Sequence, residues 1–230
     1  SQVGLLDADV YGPNVPLMMG IREAPHAIDE RIQPILQYGI KLMSMGFLAP
    51  ADKPLIWRGP MLHSVIQQFL RGVDWGKLDY LVIDLPPGTG DVQLSLIQTV
   101  PITGAIVVTT PSDVSLEDGR RAVQMFRQVR VPVLGLVENM SYLTCPHCQK
   151  RVDVFSTGGG RRTAQEMDVH FLAELALDPA VREGGDSGQP VALRDGSDPH
   201  AAAYHLMARE TVKRVFEVSE EAGPKIEIAD

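Results

Sequence analysis

Leu78-Asp79-Tyr80-Leu81-Val82-Ile83-Asp84-Leu85-Pro86-Pro87-Gly88-Thr89-Gly90-Asp91 is the stretch whose reading decides how this chain folds. Tyr80 to Ile83 is a short apolar run that does not alternate with polar residues, so it predicts a strand covered on both faces. The run ends in an acid, Asp84, and then turns sharply through two prolines and two glycines. A carboxylate at the carboxyl end of a parallel strand stands at the sheet edge where ligands bind, placed to hold Mg²⁺ or its water. The Pro-Pro-Gly-Thr-Gly turn after it offers backbone amides and a hinge beside a phosphate. Taken alone, Asp84 reads equally as the end of a buried strand before a Pro/Gly turn.

The same pattern repeats on either side. Val3 to Leu6, Ile40 to Met43, Ala105 to Thr109, Val131 to Val137 and Phe171 to Leu177 also read as strands. Helical spacing fills Met61 to Arg71, Val92 to Thr99, Leu116 to Gln128, Arg161 to Met167 and Ala201 to Val218. Ser115, three residues before Asp118, and Thr157 ahead of three glycines read as helix starts. Alternation of apolar strands with helices predicts an α/β chain with a doubly wound, mostly parallel sheet. Residues 1–218 are expected to form one domain, followed by an acidic flexible tail over 219–230. Gly20 to Pro60 is Pro-rich and long for a connection, which predicts a flap or extra strands. Ser141 to Phe155 holds both cysteines between strand-like pieces and predicts a small protruding hairpin.

A second acidic turn closes the first strand: Asp7-Ala8-Asp9-Val10-Tyr11-Gly12-Pro13-Asn14. Two carboxylates at i and i+2 can hold a metal-bound water and orient an attacking one. An Asx-rich turn leading into a helix is the plainer reading.

The 230 residues carry a net charge of −8, which argues against nucleic acid as the main partner because phosphates need cations. The longest apolar runs are far too short for a membrane span. The two cysteines, in Cys145-Pro146-His147-Cys148, sit too close for a useful disulfide staple and read as a metal or redox pair in a reducing compartment. A cytoplasmic location is expected. A four-thiolate site needs two more cysteines than the chain has, which points to a homodimer in which each copy contributes its pair. Iron–sulfur cluster and zinc both suit those thiolates. Thiol–disulfide exchange is a further reading, but the strand-like Gln149 to Phe155 that follows is not the helix such a site needs.

Together these segments resemble the Mrp/ApbC iron–sulfur cluster carriers, a MinD-like branch of the P-loop ATPases. The resemblance covers nearly the whole chain. It rests on Asp7 to Asn14 (switch I), Asp84 to Asp91 (Walker B and switch II), Glu138-Asn139-Met140-Ser141-Tyr142, the Cys145/Cys148 pair, Gly158-Gly159-Gly160 and Asp186-Ser187-Gly188-Gln189-Pro190. It implies that Asp9 orients the hydrolytic water and Asp84 supports Mg²⁺. It also implies that Asp7, Asn14, Gly88 and Asp91 lie at the nucleotide and that Asn139 reads the adenine. Cys145 and Cys148 would then share a bridging 4Fe–4S cluster with a second copy and deliver it to apo-proteins. The family's deviant Walker A loop should lie one strand before switch I, and no Gly-rich lysine loop of that pattern occurs here. Gly72 to Leu78 has three residues between its glycines and no Ser or Thr for Mg²⁺. The expectation is therefore a fragment of a longer product, with little or no ATPase activity of its own. A MinD-like partner-binding switch with a structural zinc is the alternative. The acidic, Gly-Pro-interrupted end of the chain is unlike a basic membrane-targeting helix.

Overall fold

The computed structural model describes residues 1–48 and 59–221, except the side chains of Gly59, Pro60, Asp91, Val92, Ser95, Gln98 and Glu221. The chain divides into two compact units, Ser1–Val100 with Glu183–Pro190, and Pro101–Arg182 with Val191–Asp230.

In the first unit, β1 (Val3–Asp7) leads to the single-turn helix α1 (Val15–Met18) and then to a small antiparallel ribbon of β2 (Ala27–Ile28) and β3 (Arg31–Ile32). β4 (Ile35–Gln37) and β5 (Ile40–Ser44) form a hairpin, α2 (Gly59–Arg71) follows, and β6 (Tyr80–Asp84) precedes α3 (Asp91–Thr99). The sheet order is β4-β5-β1-β6, with β1 parallel to β5 and β6 and only β4 antiparallel. The expected extra strands between Gly20 and Pro60 are thus β2, β3 and β4. α2 begins at Gly59, two residues before the helix start expected at Met61.

The second unit has a three-stranded parallel sheet, ordered β11-β8-β7, made of β7 (Ala105–Thr109), β8 (Val133–Glu138) and β11 (Phe171–Glu174). Between these strands come α4 (Asp113–Gln128), the hairpin of β9 (Leu143–Thr144) and β10 (Arg151–Val152), and α5 (Gly159–Glu166). α6 (Pro179–Ser187) and the long α7 (Pro199–Glu221) complete the chain. Val137, Leu172 and Leu175 form a buried cluster against Ala203, Tyr204 and Met207 of α7. The helix runs on to Glu221, past the expected end at Val218; residues 222–230 of the expected tail lie outside the described residues.

Three local expectations are corrected. Ser112, not Ser115, caps α4: its backbone is extended and its hydroxyl accepts from the Ser115 amide, the geometry an N-cap requires. Gly158, not Thr157, precedes α5, in a left-handed conformation at φ 64° that favours glycine. The strand expected over Phe171 to Leu177 stops at Glu174 after a register irregularity, although the Leu175 and Leu177 amides still donate to the carbonyls of Glu138 and Tyr142.

The apolar strands are also less covered than their composition implies. Val82 is 53% exposed and Val108 is 63% exposed. Among the described residues β6 pairs only with β1 and β7 only with β8, so each leaves one backbone edge unpaired as well.

Candidate functional site

Residues at the carboxyl end of the first sheet converge because their strands are parallel and in register. Asp7 of β1 lies opposite Ser44 of β5 on one side and Asp84 of β6 on the other. Asp7 is fully buried; its Oδ2 accepts from the Ser44 hydroxyl at 2.7 Å and its Oδ1 from the Asp9 amide at 3.1 Å. Burial is the main force pushing its carboxyl above the ordinary value, opposed by the Ser44 and Asp9 hydrogen bonds. Asp84 is also raised, first by burial and then by the charges on Asp7 and Asp9.

Asp9 makes the Asx turn that the plainer reading anticipated: its Oδ1 accepts from the amides of Tyr11 at 2.9 Å and Gly12 at 3.2 Å. A methyl group added at Gly12 would lie 3.6 Å from Asn14 Nδ2 and 3.9 Å from Asp9 Oδ2, so both side chains gather around this glycine. Asn14 stands at the N-cap of α1 without a side-chain capping bond. In the second turn Gly88 has φ 92°, and a side chain there would meet open space, so backbone conformation selects the glycine. Asp91 is the first residue of α3; its side chain lies outside the described residues.

Two residues of this region were not anticipated from sequence. Ser44 fixes the Asp7 carboxylate. Gln93, buried on α3, staples the switch-like turn by donating from Nε2 to the carbonyls of Pro86 at 2.8 Å and Gly88 at 3.0 Å. Its Oε1 is buried without a partner among the described residues. A lone Gln two residues after an Asp carries no sequence signal for such a role.

In the second unit Asn139 directly follows β8. Its Oδ1 accepts from the Met140 amide, which leaves its side-chain NH₂ free to donate to a ligand. Met140 adopts φ 53°, a kink that swings Ser141 back towards the sheet. Gly160 packs so closely that an added methyl would lie 2.8 Å from Glu138 Oε2; the Gly160 amide donates to that oxygen at the start of α5. The three-glycine landmark therefore accommodates a buried glutamate, whose charge the amide and the helix N-terminus offset.

Cys145 and Cys148 ride on the expected hairpin. The Cys145 amide donates to the Lys150 carbonyl and the Gln149 amide to the Cys145 carbonyl, both at 2.9 Å, closing a tight turn. Both cysteines are free thiols; Cys148, Pro146 and His147 are exposed. The backbone amide of Cys148, then that of His147, holds the Cys145 thiol below its usual value. Cys145 sits on a β-turn and not at a helix start, the placement that thiol–disulfide exchange would favour.

Among the described residues no group of three or more His, Cys, Asp or Glu side chains is arranged to hold a metal ion. Nor is any described helix long and apolar enough to cross a membrane.

The chain was compared with known proteins. The family model described as ParA, NUBPL iron-transfer P-loop NTPase, matches residues 1–212. The iron-sulfur cluster transfer protein NUBPL of Mus musculus is 50% identical over 214 residues, covering 93% of this chain and 67% of that protein. The iron-sulfur cluster carrier protein of Synechocystis sp. is 48% identical over 219 residues, covering 93% of this chain and 62% of that protein. The chain thus spans about two thirds of the length of these relatives. A solved structure of the nucleotide-binding protein of Archaeoglobus fulgidus with ADP matches at TM-score 0.71 and 37% identity, over 82% of this chain and 74% of that one. The Pyrococcus furiosus cell division ATPase MinD shares the fold at TM-score 0.65 and 20% identity, over 92% and 86% of the two chains.

Proposed function

Because this chain belongs to the NUBPL iron-transfer P-loop NTPase branch of the ParA family, we propose that it binds an iron–sulfur cluster on Cys145 and Cys148 and hands it to apo-proteins. The observation that carries this reading is the pair of free thiols, Cys148 exposed and Cys145 partly so, in the turn of a short hairpin. Two thiolates on one turn can grip one edge of a cluster while leaving its other edge accessible. The sequence holds no further cysteine, so a four-thiolate site forms when two copies meet hairpin to hairpin. The cluster is cargo: thiolates held only by a surface turn can release it to a client. Free, exposed thiols suit a reducing compartment such as the cytoplasm.

A nucleotide role for Asp7, Asp9, Asp84 and Asn139 rests on ligand chemistry. Asp7 and Asp84 are oxygen donors at the carboxyl edge of the sheet and fit a hard cation such as Mg²⁺. The unpartnered Gln93 acceptor beside the Pro86–Gly88 turn fits a donor there, and the free Asn139 NH₂ fits a purine acceptor. A lysine-bearing phosphate loop is not among these residues, so no hydrolytic step is assigned to them.

The test is anaerobic reconstitution with iron and sulfide beside a Cys145→Ala/Cys148→Ala control. A brown dimer with about four irons per two chains, lost in the control, is the expected result. A colourless protein that binds no iron refutes cluster carriage; zinc bound in place of iron transfers the site to the structural-metal reading.

A further inference from the structure

The hairpin that bears the cysteines is tied to the strand end that bears Asn139 by a continuous polar chain. Arg151, on β10, spreads its guanidinium over three partners. Nε donates to Asp153 Oδ1 at 2.7 Å, Nη2 donates to Glu174 Oε1 at 2.6 Å, and the group lies over the Tyr142 ring, 4.2 Å from its centroid. Glu174 ends β11. The same Glu174 Oε1 lies 3.0 Å from the Ser141 hydroxyl, which in turn lies 2.5 Å from Glu138 Oε1. Glu138 is buried at the end of β8 and receives the Gly160 amide on its other oxygen.

Surface ion pairs contribute little, and Arg151 is 42% exposed. Two features set this one apart. The guanidinium is fixed from three directions, so its geometry is over-determined. Behind it, Ser141 and Glu138 are fully enclosed, where hydrogen bonds are stronger and an unmade one is costly. The hydroxyl of Ser141 has a single proton and two carboxylate oxygens within reach, so it serves one of them at a time. While Arg151 satisfies Glu174, the proton belongs to Glu138; when Arg151 withdraws, Glu174 competes for it. Withdrawal of Arg151 would give the link a second arrangement, which is what coupling between two places requires.

We infer that Arg151, acting through Glu174 and Ser141 on Glu138, is a positioning residue for the Cys145/Cys148 pair and links the hairpin to the Asn139 strand end. This rests on the reading of the cysteines as the cargo site. Asn139 follows Glu138 directly, so whatever shifts Asn139 shifts the carboxylate that competes for the Ser141 proton. The hairpin ladder spans only two residues on each strand; the Arg151 clamp ties it to β11 beside the backbone bonds that join Ser141 and Tyr142 to Leu175 and Leu177.

The test uses the full chain and four variants: Arg151→Gln, Arg151→Lys, Glu174→Gln, and the Arg151→Gln/Glu174→Gln pair. Amide hydrogen exchange is followed across residues 138–160, and each protein is then loaded with iron and sulfide and timed as it loses the cluster to a ferrous chelator. Arg151→Gln and Glu174→Gln should each speed exchange at Cys145 and Gln149 and cluster loss by about two- to thirtyfold. Exchange should also rise at Ser141 and Gly160, which a hairpin loosened only locally would leave unchanged. The double variant should do no more than the larger single one, and Arg151→Lys should restore only part, because one ammonium cannot span both carboxylates. Wild-type behaviour in the singles, or additive effects confined to 143–152, would overturn the inference. A wild-type chain that takes up no cluster refutes the cargo reading instead, and the exchange data still decide the link.

Discussion

Replacing Asp84 with Asn should stabilise the fold at neutral pH, although it removes a proposed Mg²⁺ ligand. Asp84 and Asp7 are register partners on adjacent parallel strands, and their backbones are therefore about 4.8 Å apart. Two full charges at about 5 Å repel by about 3 kcal/mol at an effective dielectric of about 20. Water on the open side of Asp84 reduces this to roughly 1–2 kcal/mol. Asp84 accepts no side-chain hydrogen bond among the described residues, so the amide breaks nothing, whereas Asp7→Asn would disturb the Ser44 and Asp9 contacts. The sign follows from the direction of the shifts. Both carboxyls lie above their usual 3.8 in the folded state, each first through burial; the charges of Asp7 and Asp9 add to the rise at Asp84, and that of Asp9 to the rise at Asp7. Between 3.8 and those raised values the native chain binds more protons than the unfolded one, so wild-type stability falls as pH rises through that window. Urea unfolding at about pH 8 and about pH 4 should show the variant ahead by roughly 1–2 kcal/mol at the higher pH and level at the lower. A variant less stable than wild type at about pH 8, or a gap that does not change with pH, would refute the account of mutual repulsion.

Other outcomes follow from single contacts. Gly20 and Gly188 cross backbone to backbone, both with φ near 70°, and a methyl at Gly188 would lie 2.3 Å from Gly20 Cα. Gly188→Ala should therefore cost roughly 2–3 kcal/mol in urea unfolding, from overpacking and left-handed strain together. Ser112→Ala should cost about 1 kcal/mol through loss of the α4 cap, while Ser115→Ala leaves that cap intact. No loss on Ser112→Ala would reverse the assignment of the helix start; a loss at Ser115 would instead report its bonds to Thr109 and Thr110.

The candidate residues could be picked out because they lie in continuous segments. Asp7, Asp84 and Asn139 stand at or just after strand ends, Asp9 and Gly88 in the turns that follow, Asn14 at the start of α1, and Cys145 and Cys148 in the hairpin turn. What sequence reading could not supply were the residues that hold these groups. Ser44 is separated from Asp7 by 37 positions, and Glu174 from Ser141 by 33. Gln93 looks like any polar residue on a helix until its amide is seen across the Pro86–Gly88 turn. The misplaced start of α4 has a different cause: Ser112 and Ser115 are both good caps, and only backbone conformation separates them.

From the sequence alone came the α/β alternation, the acids at two strand ends, the single closely spaced cysteine pair, and the family resemblance. These are properties of residue type and spacing, which local sterics and apolar periodicity convert into structure without reference to distant parts of the chain. Only the tertiary structure decided which carboxylates face one another across paired strands and raise the proton affinity of Asp84, which glycines are forced by a crossing backbone, and which side chains tie the cysteine hairpin to the sheet. Those depend on burial and on distances between residues far apart in the chain, and neither exists until the strands have paired.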